Sequence, residues 1–197
     1  MASNARNVYA GEPLATGTLI VYPLGTPLPA TGADGPPPTG GVDLGHIGED
    51  GFTETSDRNP EKIRNWGGKV VKVLNTEYTL TVKFTLLESL SANVLRVAYG
   101  DNNVTVEDGT IIVRKNSARL PKKSYLIDSW DSELEAYYRH WVPVGQITEL
   151  GDVQTVHKDV IKFECTMEAF EDDDGNNMYT FIKASDLEAV GDYGTNG

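Results

Sequence analysis

Two stretches of this chain alternate apolar and polar residues with a period of two. Tyr78, Leu80, Val82, Phe84 and Leu86 interleave with Thr79, Thr81, Lys83 and Thr85. Ile161, Phe163, Cys165, Met167 and Ala169 interleave with Lys162, Glu164, Thr166 and Glu168. Successive side chains of a strand point to opposite faces, so each stretch predicts a strand with one buried and one wet face. Lys69–Leu74 reads as a hairpin partner of the first strand, with Asn75, Thr76 and Glu77 turning the chain. After the acidic turn 171–177, Met178–Lys183 reads as the return strand of the second. Further strands are predicted at Gly17–Leu24, Ile111–Arg114, Ser124–Ile127 and Tyr137–Val142, separated by Asp-Gly and Pro signals. Ser91–Tyr99 predicts a helix, because Leu90, Val94, Val97 and Ala98 share one stripe and Gly100 suits its exit. The fold class is therefore mainly β: a β-sandwich or partly open barrel with one flanking α-helix.

Two segments lack a hydrophobic period. Residues 1–13 read as an N-terminal arm. Residues 25–60 hold most of the prolines and many glycines, and read as a long Gly/Pro-rich loop, a length that in compact domains marks function or disorder. The loop is expected to end in a short helical turn: Asn59 suits an N-cap, Pro60 the first helical position and Gly67 the exit.

Charge narrows the function. The 197 residues carry a net charge of −12 with a pI near 4.6. That sign repels nucleic acid and anionic membranes, and the basic footprint of a DNA binder is missing. The charge is uneven: net −5 over residues 1–60, +2 over 61–148 and −9 over 149–197. An acidic last quarter beside a weakly basic middle allows head-to-tail complementarity between copies. Cys165 is the single cysteine, so no intrachain disulfide forms. No apolar run approaches the ~20 residues of a membrane helix, and the N-terminus does not resemble a signal peptide. Synthesis and folding in a cytoplasm are expected.

Candidate chemistry is sparse. His46, His140 and His157 do not sit at metal-ligand spacing, and Cys165 has no neighbouring cysteine. His140 is expected inside a strand and His157 at a strand edge, each as a structural residue. No nucleophile elbow, phosphate-binding loop or dinucleotide fingerprint is present. Asp172-Asp173-Asp174-Gly175 fails as a calcium loop, since Phe170 and Phe181 would occupy its two end positions; it reads as a hairpin turn. Arg114, Lys115, Arg119, Lys122 and Lys123 form the one basic cluster. The sequence thus predicts no catalytic residue, metal or cofactor.

One region is more specific. Asp43-Leu44-Gly45-His46-Ile47-Gly48-Glu49-Asp50-Gly51-Phe52-Thr53, then Ile63-Arg64-Asn65-Trp66-Gly67-Gly68, then the strand ending Phe84-Thr85-Leu86-Leu87-Glu88 resemble the major tail tube proteins of long-tailed bacteriophages, particularly those infecting actinobacteria. The match is good over about residues 14–100 and continues as a strand pattern beyond. The resemblance implies a tail tube domain over residues 14–190 and a C-terminal tail at 191–197. It also implies hexameric rings that pair strands across subunits and stack into a hollow tube in the virion. The implied partners are further copies of the chain, a tape-measure protein, and tail terminator and baseplate proteins, with DNA passing through the lumen without specific binding. Another ring-forming morphogenesis protein, such as a tail terminator or connector, is the nearest alternative. A carbohydrate-binding β-sandwich using Trp130, Tyr137, Tyr138 and Trp141 is an alternative of another class.

Within a tube, the polar sides of the two alternating strands are expected to face the lumen: Lys162, Glu164, Thr166 and Glu168, with Thr79, Thr81, Lys83 and Thr85 beside them. Contacts between copies are expected to join Arg114, Lys115, Lys122 and Lys123 to Asp172, Asp173 and Asp174.

Overall fold

The structure is a computed structural model that describes residues 8–14, 18–30 and 32–184. The strands in chain order are β1 (Glu12–Pro13), β2 (Leu19–Tyr22), β3 (Val42–Asp43), β4 (Ile47–Arg64), β5 (Val70–Leu86), β6 (Val104–Glu107), β7 (Thr110–Val113), β8 (Lys123–Asp131), β9 (Ala136–Leu150), β10 (Phe163–Phe170) and β11 (Tyr179–Lys183). The helix α1 (Ala92–Tyr99) lies between β5 and β6. Nine strands form one sheet in the order β3-β2-β8-β9-β10-β5-β4, with β1 paired to β8 and β11 to β9. The hairpin β6–β7 forms a second, small sheet. Its Asp108-Gly109 turn places both residues at positive φ, as a tight two-residue hairpin requires. The large sheet does not close on itself: β3 ends one edge and β4 the other. The expected mainly β, sandwich-like class is what the chain adopts.

The main core lies on one face of the sheet. Leu80, Val82, Phe84 and Leu86 of β5 and Phe163, Cys165, Met167 and Ala169 of β10 meet Val94, Leu95, Val97 and Ala98 of α1 there. The opposite face carries a smaller cluster of Ile20, Tyr22, Leu126 and Trp141, packed with Tyr179 and Phe181. β2 is consequently buried on both faces, which explains why Leu-Ile-Val-Tyr reads as a continuous apolar run. The loop after β2 covers the second cluster. The Arg139 guanidinium donates to the carbonyls of Gly32 and Gly35 and makes a two-point pair with Asp128, at 2.8 and 2.7 Å. Trp141 is 1 % exposed, so it is core and cannot present a sugar-stacking platform with Trp130.

Several expectations are corrected. Residues 25–60 are not one loop: the proline-rich part remains irregular, but Ile47–Arg64 is the longest strand of the molecule. Its sequence, Gly-Glu-Asp-Gly-Phe-Thr-Glu-Thr-Ser-Asp-Arg-Asn-Pro, has almost no apolar alternation. Pairing with β5 imposes the extended conformation. Pro60 is accommodated because β4 is an edge strand and the register shifts at Asn59/Pro60. The expected helical turn over Asn59–Gly67 does not form either. Asn59–Arg64 is extended, and the chain reverses at 65–69, where the Gly68 N–H bonds the Asn65 carbonyl and Gly68 takes φ +79°. Nor does the chain turn at Asn75–Glu77, since β5 runs unbroken from Val70 to Leu86. Leu90 lies outside the helix and is 89 % exposed, and His157 lies in a turn between β9 and β10 instead of at a strand edge. The C-terminal tail 191–197 and residues 1–7 of the arm lie outside the described residues.

The motif that carried the resemblance comes together at the base of the β4–β5 hairpin. Leu44 is fully buried and its N–H bonds the Leu19 carbonyl. Gly45 adopts φ +72° directly against the Glu88 carboxylate, where a Cβ would clash, and Glu88 accepts from the His46 N–H at 3.1 Å. The Leu-Gly turn and the distant glutamate are therefore one structural unit.

Candidate assembly surface

The two alternating strands lie side by side. β10 pairs antiparallel with β5, and the register sets Glu164 opposite Thr85, Thr166 opposite Lys83 and Glu168 opposite Thr81. Six of the eight expected lumen residues therefore share one polar face through direct cross-strand pairs. Thr79 continues this face on β5 but pairs across to Asp57 of β4. Lys162 precedes β10 and forms an exposed ion pair with Asp159 at 3.5 Å.

The face extends over four strands in the order β4-β5-β10-β9. β4 adds Thr53 opposite Lys83 and Thr55 opposite Thr81. β9 adds Glu149 opposite Thr166 and Gln146 opposite Glu168, across a bulge at Thr166/Met167. None of these was singled out from sequence. On β9 the bulge breaks the period of two; on β4 the alternate positions are themselves polar, so no contrast exists to read. A concavity of about 520 Å³ indents the face among Lys83, Thr85, Glu149, Glu164 and Thr166. With Asp57, Glu149, Glu164 and Glu168 against Lys83, the face is acidic.

Neither outer edge of this four-stranded unit carries a further strand among the described residues, though the Gln146 amide is buried and donates to the Leu120 carbonyl. β4 pairs only with β5. β9 pairs with β8 as far as Gly145, so its last segment, Gln146–Leu150, has β10 on one side and no strand on the other. Arg114, Lys115 and Arg119 flank that open segment around a groove of about 720 Å³. The free edge of β4 carries Glu49, Asp50, Glu54 and Asp57.

The other expected contact residues have local roles. Lys123 pairs with Asp101 at 2.7 Å, Lys115 lies 5.1 Å from the Tyr99 ring centre, and Lys122 lies 3.9 Å from that of Phe170. Asp172 builds its own turn, accepting from the N–H groups of Asn176 and Asp174 and from the Tyr179 hydroxyl. Those bonds hold its carboxyl below the usual range. Because Lys122 stacks on Phe170, immediately before the acidic turn, the basic and acidic clusters sit close together within one molecule.

Titratable groups in the interior are structural. Burial pushes the Cys165 thiol up to about 12, so it carries no thiolate at neutral pH. His140 is buried in β9 with Nδ1 3.0 Å from the Thr180 hydroxyl and its ring against Phe52; burial pulls its pKa down. Burial raises the Asp128 carboxyl, with the Arg139 guanidinium pulling the other way. No cluster of three or more His, Cys, Asp or Glu side chains poised for a metal occurs among the described residues, and none of their helices is long and apolar enough to cross a membrane.

The polar face of the sheet is acidic, and basic side chains border one of its edges while carboxylates line the other. The family model described as phage tail tube protein matches residues 1–191. This chain belongs to the phage tail tube protein family. It is a structural component of the phage tail, and the family is not one of enzymes. Among solved structures, the chain is similar to the cap of the anti-feeding prophage, described as a tube-terminating cap and solved by cryo-electron microscopy. The identity is 12 %, the TM-score 0.41, and the match covers 94 % of this chain and 100 % of that one. No curated protein matches.

Proposed function

We propose that copies of this chain close into rings by adding the β4 edge of one copy to the Gln146–Leu150 edge of the next, and that the rings stack into the tube through which DNA leaves the virion. The observation that carries the reading is the pair of open edges on one four-stranded polar sheet. β4, β5, β10 and β9 alternate in direction, so a rotated copy placing its β4 beside β9 continues the antiparallel alternation without a break. Joining the edges also removes two exposed strand edges that would otherwise template aggregation. Charge favours the same pairing, with carboxylates along β4 facing Arg114 and Arg119. Six copies to the ring is the number that the resemblance to tail tube proteins supports.

In that ring the shared polar face lines the lumen, and α1 with the main core lies outside it. An acidic wall repels phosphate, so DNA slides along it; each added Lys or Arg would create a salt-sensitive contact. The tape-measure, terminator and baseplate partners belong to this reading.

Negative-stain microscopy tests it. The purified protein should form rings and, at high concentration, tubes. Glu54→Lys with Asp57→Lys should leave the monomer folded and prevent ring closure, and adding Arg114→Glu with Arg119→Glu should restore it. Monomers at every concentration would overturn the reading. For the lumen, Glu164→Lys with Glu168→Lys should leave tube formation intact and slow DNA release. A label that reaches position 164 in capped tubes as readily as in monomers would refute the lumenal placement.

A further inference from the structure

β4 begins with an interruption. Ile47 pairs with Leu86 and Phe52 with Phe84, so Gly48, Glu49, Asp50 and Gly51 stand opposite Thr85 alone and must bow away from the ladder. Both glycines serve this detour. A Cβ at Gly48 would lie 3.0 Å from that of Thr85, and Gly51 takes φ +63°. Bulges re-aim side chains and are frequent beside functional sites. Here the bulge sets Glu49 and Asp50 off the ladder. Both are exposed, and neither has an ion-pair partner among the described residues.

The N-terminal arm faces the bulge and is fixed to β8. Glu12 and Pro13 pair with Trp130 and Ser129, the Ala10 N–H donates to the Asp131 carboxylate at 2.8 Å, and the Tyr9 hydroxyl donates to Ser129 at 2.7 Å. Between arm and bulge lies a cavity of about 390 Å³. That volume falls within the range of about 300–1,000 Å³ usual for small-molecule sites. Three rings line it: Tyr9, Phe52 and His140. Phe52 meets His140 edge to face with ring centres 5.0 Å apart, and Tyr9 is braced by Tyr138 at 4.3 Å. Glu12 borders the cavity on the arm side, and Glu49 and Asp50 border it on the bulge side. Asp128 also reaches it, but its charge is held by Arg139. Among the described residues no lysine or arginine lines the cavity.

We infer that this cavity binds a short aliphatic polyamine, with its methylene chain against the rings and its ammonium groups on the carboxylates of Glu12, Glu49 and Asp50. Rings attract a cation through their faces, and unpaired carboxylates at the rim add charge of the matching sign. An anion meets only repulsion there. A bare metal ion is poorly served, because the wall offers rings in place of oxygen ligands, and no cluster of three acidic or imidazole groups poised for a metal occurs among the described residues. The carboxylates come from two separate segments with an aromatic stretch between them, which suits a ligand charged at both ends and apolar in the middle. A bound polyamine ties the arm to the start of β4 and stabilises the folded chain by mass action. The site is complete within one copy, so it stands whether or not copies join into rings.

Calorimetric titration of spermidine into the full chain at fixed ionic strength tests the site. Binding should be saturable and one-to-one, with nuclear Overhauser contacts from the ligand methylenes to the Tyr9 and Phe52 rings. Glu49→Gln with Asp50→Asn changes two exposed side chains and should weaken binding at least about tenfold. Phe52→Leu should weaken it about fivefold through loss of a ring. Glu107→Gln with Glu171→Gln removes the same charge from exposed positions outside the cavity. That pair should leave the affinity within about twofold. A neutral diol of similar chain length should not bind. Magnesium binding as tightly as spermidine at matched ionic strength, or equal weakening by the two charge-removing pairs, would show only counterions gathering on a chain of net charge −12 and would overturn the site. Binding of the diol as tight as that of spermidine would make the cavity one for neutral ligands and overturn the inference as well.

Discussion

The two halves of β5 share one strand and one backbone conformation but opposite surroundings. From Leu80 to Leu86 the apolar residues are at most 4 % exposed, because α1 and β10 pack over them. From Val70 to Val73 the valines are 44–60 % exposed, because among the described residues only the paired strand β4 lies beside them and nothing packs on their faces. The first half folds the monomer. The second half contributes little to the monomer and is available to another chain. Loss of a body residue should therefore lower stability and assembly together, whereas loss of a residue of the second half should lower assembly alone.

Variants can break or sharpen that contrast. The largest effect is expected from Arg139→Met, which leaves the Asp128 carboxylate buried without its partner and frees the Gly32–Gly35 loop. Urea unfolding should show a loss of about 3–5 kcal/mol, and Asp128→Leu added to it should recover most of that loss. Met167→Ala should cost about 2–5 kcal/mol, because Met167 is fully buried against β5 and β9 and its removal leaves a cavity.

A smaller effect should come from pH. His140 has its pKa lowered by burial, so the unfolded chain binds its proton more readily. Its contribution is complete above the unfolded value of about 6.5 and declines as pH falls below it. The urea midpoint should therefore drop between pH 7.5 and 5, and His140→Gln should flatten that drop. Asp128 acts in the opposite direction, and only nearer its own, more acidic range, because burial raises it.

The smallest effect on the monomer should come from Val71→Ser with Val73→Ser, at most about 0.5 kcal/mol for each surface change, together with a clear defect in tube growth. A large loss of monomer stability from these two changes would show that this half folds with the body.

Much of the body was legible in the sequence. The alternations at 78–86 and 161–169 marked the two strands whose polar sides meet in register, and the stripe at Val94, Val97 and Ala98 marked the helix that covers them. Of the charged and threonine positions between the apolar ones, six meet as cross-strand pairs of β5 and β10, while Lys162 precedes β10 and Thr79 pairs with β4. β4 was not legible. Its residues include Gly48, Gly51, Asn59 and Pro60 and almost no apolar alternation, so local preference read as loop, while the partner strand made it extended. Pro60 illustrates the conflict. Preceded by Asn59 it suits a helix start, yet pairing with β5 on one side leaves room for a residue without an N–H on an edge strand.

What the sequence determined by itself is whatever depends on a contrast between neighbouring residues: strand period, helix stripe, turn glycines and the sign of the charge. What only the tertiary structure decided is which strand lies beside which. That pairing made β4 the outer strand, left Gln146–Leu150 open beside Arg114 and Arg119, and carried Trp66 far from the core. The physical reason is that backbone hydrogen bonds across a sheet join residues distant in sequence with little regard to side-chain type, so strand edges belong to the fold and not to any local pattern.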